Sequence, residues 1–337
     1  SAVLSGGSFL LDGGYFNFPA SAGPGVKIFA GGSGVASNGA NWIGGVAPVS
    51  GDYVIFGDTA PSVSCTWDLP IILSSMTIAG AYNAQIFFNS PIVVNGPFEL
   101  LNGSTANFTT NAGYKHQFFG PITVQAGTFH VGGTTVVAVG SMTVTTGKFE
   151  IHDKGRFEST LVDVNTAGAF KVYDDSVAGM PVLTGTSTSN SWQLLLNGRV
   201  EISTGEFRNM SPLGMRIGSG AQLISVSSFT IVQELIYGTT GINFFDTGGA
   251  IVSTFTNISF SEGLGVNVRG DMLAAGSRIT MQKARGASAG PSFENDPNGR
   301  VDWLNSVNTG AVLAVTGLGV GNSSAGQGQR KFARDSG

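Results

Sequence analysis

Short runs of alternating apolar and polar residues fill most of this chain, and glycine, asparagine or serine interrupts them every few residues. Three runs are near copies of one phrase: ITVQAGTFHV at 122–131, MTVTTGKFEI at 142–151 and VDVNTAGAFKV at 162–172. Each copy predicts a strand, a turn at glycine and a second strand. Alternation with a period of two also predicts one buried and one solvated face for each strand.

Alignment of the three copies places like residues in columns. The valine, glycine and phenylalanine columns are Val124, Val144 and Val164; Gly127, Gly147 and Gly168; and Phe129, Phe149 and Phe170. Residues of one type recur at one position when each copy stacks on the copy before it, strand on parallel strand. The valine and phenylalanine columns are therefore predicted to be core columns.

Looser copies extend the pattern in both directions. The phrases IVVNGPFEL at 92–100 and LLLNGRVEI at 194–202 match each other position for position. The anchor positions recur every 20 to 32 residues: Leu73, Val94, Val124, Val144, Val164, Leu196 and Val226. A strand–turn–strand repeat of this length predicts a solenoid. Rungs of about 20 residues have room for three short strands, and we expect the longer rungs to carry extra loops at 102–120 and 174–191.

The predicted fold is all-β, mainly a right-handed parallel β-helix, with a β-sandwich as the alternative because sandwiches also show frequent turn signals. We expect a glycine- and aromatic-rich N-terminal segment with a cap at 1–68, the helix at 69–304 and an extended tail at 305–337. The tail is predicted either to be mobile or to add as a strand to a neighbouring molecule. Its candidate assembly residues are Val312, Leu313, Val315 and Leu318.

Composition supports a β-rich, well-packed chain and excludes some partners. Glycine accounts for 51 of 337 residues, and charged residues are 11% where about 25% is typical. The apolar fraction of 42% is enough for a substantial core. A net charge of -4 without a basic stripe argues against a nucleic-acid partner, and no apolar run is long enough for a membrane-spanning helix. The lone Cys65 excludes an internal disulfide and is interpreted as a buried, inert thiol.

Two segments resemble a known kind of protein. The run NWIGGVAPVSGDYVIFGD at 41–58 resembles the motif that opens many bacterial secreted, glycine-rich β-helical surface proteins, including autotransporter passenger-like repeats. GRVDWLN at 299–305, which contains Trp303, resembles the tryptophan-bearing segment that ends such a stack. The resemblance implies an extracellular or cell-surface location. Because the sequence begins without Met, we also expect that a leader has been removed.

Trp42 is the candidate cap of the first rung. The end of a β-helix exposes unpaired backbone groups and an apolar column, so it needs a cover. An aromatic platform on which sugars stack is the alternative role for this side chain.

The strongest candidate for catalytic chemistry is an acidic group near the repeats. Its members, with their basic neighbours, are Asp153, Asp163, Asp174, Asp175, His152 and Lys154. Paired carboxylates would suit a polysaccharide lyase or hydrolase, but aspartates that follow a strand commonly form turns, and we favour the turn. Their oxygens suit calcium, yet the sequence has no D-x-D-x-D-G loop, so no cofactor is expected.

The three histidines occur at unrelated phases of the repeat and make a poor zinc site. They are His116, His130 and His152. His130 is predicted to lie in an exposed polar ladder with Glu99, Glu150 and Lys171, in which Glu150 and Lys171 form an ion pair. The alignment also places His152 beneath Tyr173 and Asp153 beneath Asp174.

The favoured function is structural: a subunit of an extracellular filament, sheath or surface layer that assembles through its terminal segments. Low charge weakens the repulsion that keeps proteins monomeric, and both ends carry glycine-rich apolar segments. The expected partner is therefore a further copy of the chain. The first alternative is a cell-surface adhesin or carbohydrate-binding β-helix that contacts surface glycans through loops such as 102–120. A polysaccharide lyase or hydrolase is the second alternative.

Overall fold

Three long parallel sheets form the body of the protein. The computed structural model describes residues 24–309 except 110–112, 175–178, 187–190, 234–237, 246–247 and 262–263, together with the backbone of strands Gly7–Leu11 and Gly14–Phe18. Each long sheet has 11 strands, and from Tyr53–Phe56 to Arg285–Gly286 the chain visits the first, second and third sheets in the same order on every turn. The predicted parallel β-helix is confirmed, and the parallel pairing excludes the sandwich alternative.

The strands alternate along the chain between the three sheets. The first sheet contains Val26–Phe29, Tyr53–Phe56, Ser75–Ile78, Phe98–Leu100, Ile122–Val124, Met142–Val144, Leu161–Val164, Trp192–Leu196, Met210–Ile217, Thr239–Phe244 and Leu264–Arg269. The second sheet contains Cys65–Trp67, Gln85–Phe88, Thr105–Phe108, Thr128–Gly132, Lys148–His152, Ala169–Tyr173, Arg199–Ile202, Gln222–Ser227, Val252–Thr256, Arg278–Gln282 and Val301–Leu304. The third sheet contains Ile72–Leu73, Val93–Val94, Lys115–Phe118, Thr135–Ala138, Arg156–Ser159, Val182–Gly185, Gly205–Arg208, Phe229–Val232, Ser259–Phe260, Arg285–Gly286 and Val307–Asn308.

Little else is regular in the described part of the chain. Gly7–Leu11 and Gly14–Phe18 pair with each other as an antiparallel hairpin. Two short 3-10 helices, Gly39–Asn41 and Pro291–Phe293, lie near the two ends of the stack.

The predicted residue columns are present in the strand register. Val124 pairs with Val144, and Val144 pairs with Val164, along the first sheet. In the second sheet the three phenylalanines 129, 149 and 170 pair in the same way, with ring centroids 6.1 and 5.7 Å apart. All six side chains are fully buried. Burial of each such side chain is worth about 1.5–3 kcal/mol, so the stacked columns supply much of the core.

Glycine is required at the corners because each corner lies directly on the backbone of the rung below. A Cβ at Gly168 would come within 2.6 Å of the carbonyl oxygen of Val144. The corner between the third and first sheets has a second glycine column, which alignment of the repeated phrases did not identify. There, a Cβ at Gly120 would lie 2.2 Å from the oxygen of Gly96, and a Cβ at Gly140 would lie 2.3 Å from that of Gly120.

The anchor positions do not all share one column. Leu73 and Val94 lie in the third sheet and Val226 lies in the second, whereas the other four anchors lie in the first. The matching phrases at 92–100 and 194–202 form different corners of the helix. Residues 92–100 connect the third sheet to the first, and residues 194–202 connect the first sheet to the second. Corners on more than one side of the helix consist of a strand, a glycine and another strand, so similarity between phrases marks a corner and not a particular side of the helix.

The segments 102–120 and 174–191, each predicted as an extra loop, contain strands as well as connections. The first segment contains the strands Thr105–Phe108 and Lys115–Phe118, and the second contains Val182–Gly185. These strands were missed because buried polar residues such as Asn107 and His116 interrupt the alternation of apolar and polar residues.

The parallel sheets also extend beyond the expected limits of the helix. Strands Val26–Phe29 and Cys65–Trp67 of the expected N-terminal segment 1–68 belong to the first and second sheets. Val307–Asn308, at the start of the expected tail 305–337, is the last strand of the third sheet. The rest of that tail lies outside the described residues.

His116 is a polar residue in the core. Its imidazole packs edge-on against Phe88 and Phe108, with centroid distances of 6.3 and 5.1 Å. Within the described residues, neither ring nitrogen has a hydrogen-bond partner. Burial lowers the pKa of His116 to about 4, because a charged imidazolium would lose its hydration there.

The first prediction concerns the pH dependence of stability. Between pH 6.5 and 4 the unfolded chain binds a proton at His116 that the folded chain does not, so the free energy of unfolding decreases as pH falls. At pH 4.5 this loss amounts to about 2–3 kcal/mol. We expect His116→Leu to remove that part of the pH dependence, measured as urea unfolding midpoints at pH 7 and pH 4.5. The control Gln117→Leu, on the outward face of the same strand, should keep it, and equal pH dependence in all three proteins would contradict this account.

The second prediction concerns the corner glycines. Gly120→Ala forces a Cβ onto the backbone of Gly96 and should lower stability by about 1–3 kcal/mol. Gly103→Ala is the matched control, because a Cβ there meets nothing within 4 Å, and its effect should stay within about 0.5 kcal/mol. Thermal unfolding followed by circular dichroism measures both, and equal midpoints for the two variants would show that the corners do not need glycine.

Candidate functional site

The chain covers its own strand edges at the N-terminal end of the stack. Residues 41–43 run antiparallel along the free edge of Val26–Phe29, with two backbone hydrogen bonds of 2.6 and 2.9 Å. Residues 34–36 run parallel along the free edge of Cys65–Trp67, with backbone hydrogen bonds of 2.9 and 2.6 Å. The first and second sheets therefore begin with a covered edge.

Trp42 fills the centre of this end. Its side chain is 2% exposed, and its ring centroid lies 5.4 Å from that of Phe29 and 6.3 Å from that of Trp67. The indole Nε1 donates a 2.7 Å hydrogen bond to the carbonyl oxygen of Ala36. The ring thus lies over the aromatic column as a cover, and neither of its faces is open for a sugar to stack on.

Asn41 holds the covering segment in place, and sequence reasoning missed it. The residue is buried, and its Oδ1 accepts a 2.9 Å hydrogen bond from the backbone N–H of Ser33. Its Nδ2 donates to the carbonyl oxygen of Val35 at 2.6 Å and to the Ser33 hydroxyl at 2.9 Å. One amide therefore satisfies three polar groups of the turn. The only sequence signal was an asparagine next to the capping tryptophan.

The C-terminal end of the stack is different. Asn295 continues the first sheet, because its backbone exchanges hydrogen bonds of 2.8 and 2.9 Å with Gly270 and Val268. The second and third sheets end at Val301–Leu304 and Val307–Asn308. Among the residues that the structure describes, no strand pairs with the outer edges of these two strands.

Two exposed apolar side chains lie on the last strands of the second and third sheets. Leu304 is 49% exposed and Val307 is 58% exposed. The candidate tail residues 312, 313, 315 and 318 lie outside the described residues. We define the open C-terminal edge as the outer edge of strand Val301–Leu304, with the exposed Val307 beside it.

Trp303 lies on one of these strands but does not seal the core as Trp42 does. Its side chain is half-buried, its Nε1 donates a 2.5 Å hydrogen bond to Glu294 Oε2, and its ring lies 6.2 Å from Phe260. Burial raises the pKa of the Glu294 carboxyl group, and the hydrogen bond from Trp303 partly offsets that rise. Trp303 therefore ties the last strand of the second sheet to the turn at 291–295.

The polar ladder on the outer face of the second sheet is only partly as predicted. His130, Glu150 and Lys171 pair in register on successive strands. Glu99 lies in the first sheet instead, next to Thr77 and Thr123. It was misplaced because its repeat phrase turns a different corner of the helix.

The expected ion pair between Glu150 and Lys171 is replaced by other contacts. The Glu150 Oε1 atom lies 3.1 Å from the Nζ atom of Lys148 on the same strand. The Lys171 ammonium lies 4.3 Å from the ring centroid of Tyr173. Other pairs likewise join residues two apart: Arg156 with Glu158, Arg199 with Glu201, Arg208 with Glu206 and Arg269 with Asp271. Such exposed pairs contribute about 0–1 kcal/mol each, and they leave the side faces with little net charge.

Two imidazoles and a phenol stack beside this ladder. His152 lies between His130 and Tyr173, with centroid distances of 4.4 and 5.2 Å, and pairs in register with Tyr173 as predicted. Gly132 makes room for its ring, because a Cβ there would lie 2.4 Å from His152 Nε2. The His152 Nδ1 lies 2.7 Å from the carboxylate of Asp153. Burial and the neighbouring His152 lower the pKa of His130 to about 4.

The structure does not gather the candidate carboxylates into one group. Asp163 lies on the outer face of the first sheet, whereas Asp153 and Asp174 follow strands of the second sheet. Asp153 adopts a left-handed backbone conformation with φ 50°, as expected for a turn. Asp175 lies outside the described residues, within which no group of three His, Cys, Asp or Glu side chains could hold a metal ion. Burial raises the pKa of the Cys65 thiol, which keeps it protonated.

Comparisons with protein-family models, curated proteins and solved structures find no match to this chain. In the part of the chain that the structure describes, no helix has the length and apolarity needed to cross a membrane. The functional argument therefore rests on the geometry of the two ends and the side faces.

Proposed function

We propose that this protein is a structural subunit of an extracellular filament, sheath or surface layer, and that copies join through the open C-terminal edge. The observation that carries the proposal is the difference between the two ends. The chain covers its own strand edges at the N-terminal end, whereas strand Val301–Leu304 has no strand on its outer side among the described residues. A strand edge with free N–H and C=O groups is a template for a strand from another chain.

The proposed occupant of the edge is an extended segment of a second copy. Strand addition obtains affinity from main-chain hydrogen bonds and specificity from alternate side chains. The apolar segment 311–320 is the proposed donor, and the exposed Leu304 and Val307 provide apolar surface at the acceptor edge. Donor and acceptor are unlike surfaces, so the contact repeats without closing and builds a filament.

The rest of the molecule suits a building block. The core column runs through the whole stack without interruption, which favours a stiff rod. A net charge of -4 offers little repulsion between neighbouring copies. The extracellular location in the proposal rests on the resemblance of segment 41–58 to the opening motif of secreted β-helical surface proteins.

The third prediction tests the open C-terminal edge. We expect the double variant Leu304→Lys/Val307→Lys to fold but to lose assembly, because two ammonium groups would have to be desolvated at the contact. The control Ile224→Lys/Val252→Lys changes side chains that are 53% and 74% exposed on the side of the second sheet, and it should assemble normally. Negative-stain electron microscopy and sedimentation at neutral pH report assembly, and circular dichroism reports folding.

Two outcomes of this experiment would contradict the proposal. Dispersed rods from the unaltered protein would remove the structural role, and equal filaments from both double variants would place the contact elsewhere. A chain truncated after residue 309 keeps every described strand and identifies the donor. It should fold without assembling, and unchanged filaments would exclude segment 311–320 as the donor strand.

A further inference from the structure

A column of residues, with Thr and Asn in its lower part, lies at the corner between the first and second sheets. The residue that follows each first-sheet strand donates its backbone N–H to the rung below: Asn165 to Val144 at 2.9 Å and Asn197 to Val164 at 2.8 Å, for example. The column consists of Thr145, Asn165, Asn197, Gly218 and Phe245. Its members therefore share one corner at the rung spacing of about 4.8 Å.

The lower part of this column lines a groove of about 320 Å³ with an uncharged lining. The lining residues are Thr145, Thr146, Asn165, Thr166, Ala167 and Asn197. The hydroxyl of Thr146 donates to the carbonyl oxygen of Gln125. In the described parts of the chain, the side chains of Thr145, Asn165, Thr166 and Asn197 have no hydrogen-bond partner. The groove thus presents hydroxyl and amide groups that can both donate and accept.

An aromatic ring stands at the upper end of the groove. Gly218 has no side chain, and its neighbours fill the space that a side chain would need. A Cβ there would lie 1.9 Å from Asn197 Oδ1 and 3.4 Å from the Phe245 ring. The half-buried Phe245 ring therefore lies over Gly218, close to the amide of Asn197. The guanidinium of Arg216 packs 4.1 Å from the centroid of that ring and holds it in place.

We propose that this groove binds a neutral, hydroxyl-rich carbohydrate chain. Sugar hydroxyls match free amide and hydroxyl groups in donors and acceptors, and the apolar face of a sugar ring can pack on a phenylalanine. The rung spacing is close to the length of one sugar unit in an extended chain, so successive rungs present Asn or Thr to successive units. Threonine and asparagine have short side chains, and here they lie at corners that directly follow paired strands, so binding orders few rotatable bonds.

The uncharged lining favours neutral glycans over acidic ones. An acidic glycan would require a cation along the lining, where Thr, Asn and Ala supply none, and the Arg216 guanidinium at the upper end is packed against the Phe245 ring. The groove lies on a side face, away from both ends of the stack. It is therefore independent of the assembly contact and stays accessible in a filament built end to end.

The fourth prediction tests the groove with the full-length protein. A glycan array carrying neutral hexasaccharides of glucan, mannan and xylan type beside uronic-acid and sulfated oligosaccharides should show binding to a neutral chain. Isothermal titration with that hexasaccharide then compares the variants. Asn165→Ala/Asn197→Ala should weaken binding at least about tenfold, because two hydrogen-bonding side chains are lost, and Phe245→Ala should weaken it as well.

Asn83→Ala is the matched control. Asn83 is an exposed asparagine between a first-sheet and a second-sheet strand, outside the groove, and its loss should change affinity less than about twofold. Circular dichroism of all variants checks that they are folded. No binding to any neutral glycan, binding to acidic glycans alone, or equal affinity of the double variant and the Asn83 variant would each overturn the proposal.

Discussion

Backbone hydrogen bonding between successive rungs stacks the strands of this β-helix in parallel register, with local shifts at Trp192/Leu194, Val200/Glu201 and Thr239/Thr240. Because the register is shared, a side chain meets the residue at the same position of the next rung, as Phe149 meets Phe170. The same constraint explains the glycine corners. A rung can approach the next only where a Cβ is absent from the point of backbone contact, as at Gly120 above Gly96.

This stacking has consequences at both ends and on the side faces. Each interior strand has a partner on both sides, so the first and last rungs alone face the problem of open edges. The chain solves it at the start with Trp42 and the amide of Asn41, and the last strand of the second sheet, Val301–Leu304, pairs with no further strand in the described region. On the side faces, the stacking of rungs brings residues that are distant in sequence close together, as it does for Asn197 and Phe245.

The architecture could be predicted from three copies of one phrase because those copies have nearly equal length and turn the same corner. Prediction failed where that condition failed. The phrase at 92–100 has the same local form as the one at 194–202 but lies at another corner, so Glu99 was assigned to the wrong sheet. Buried polar residues such as His116 hid whole strands, since the pattern of apolar alternation has no place for an imidazole in the core.

The candidate sites were less predictable than the fold. The importance of Trp42 could be inferred from its place before the first strong strand, but the role of Asn41 depends on a turn that only the structure defines. The groove joins Thr145, Asn165 and Asn197 from rungs of unequal length, and its aromatic end comes from two rungs further on. No fixed spacing in the sequence marks such a set, because the length of the connections varies from rung to rung while the strands stay paired side by side.

Helical reconstruction of the assembled protein by cryo-electron microscopy tests the central claim most directly. The account requires filaments in which an extended strand from a neighbouring copy lies along the outer edge of Val301–Leu304, with the N-terminal edges still covered by residues 34–43. Single rods in which the chain's own residues cover that edge, or copies joined only through their side faces, would contradict it.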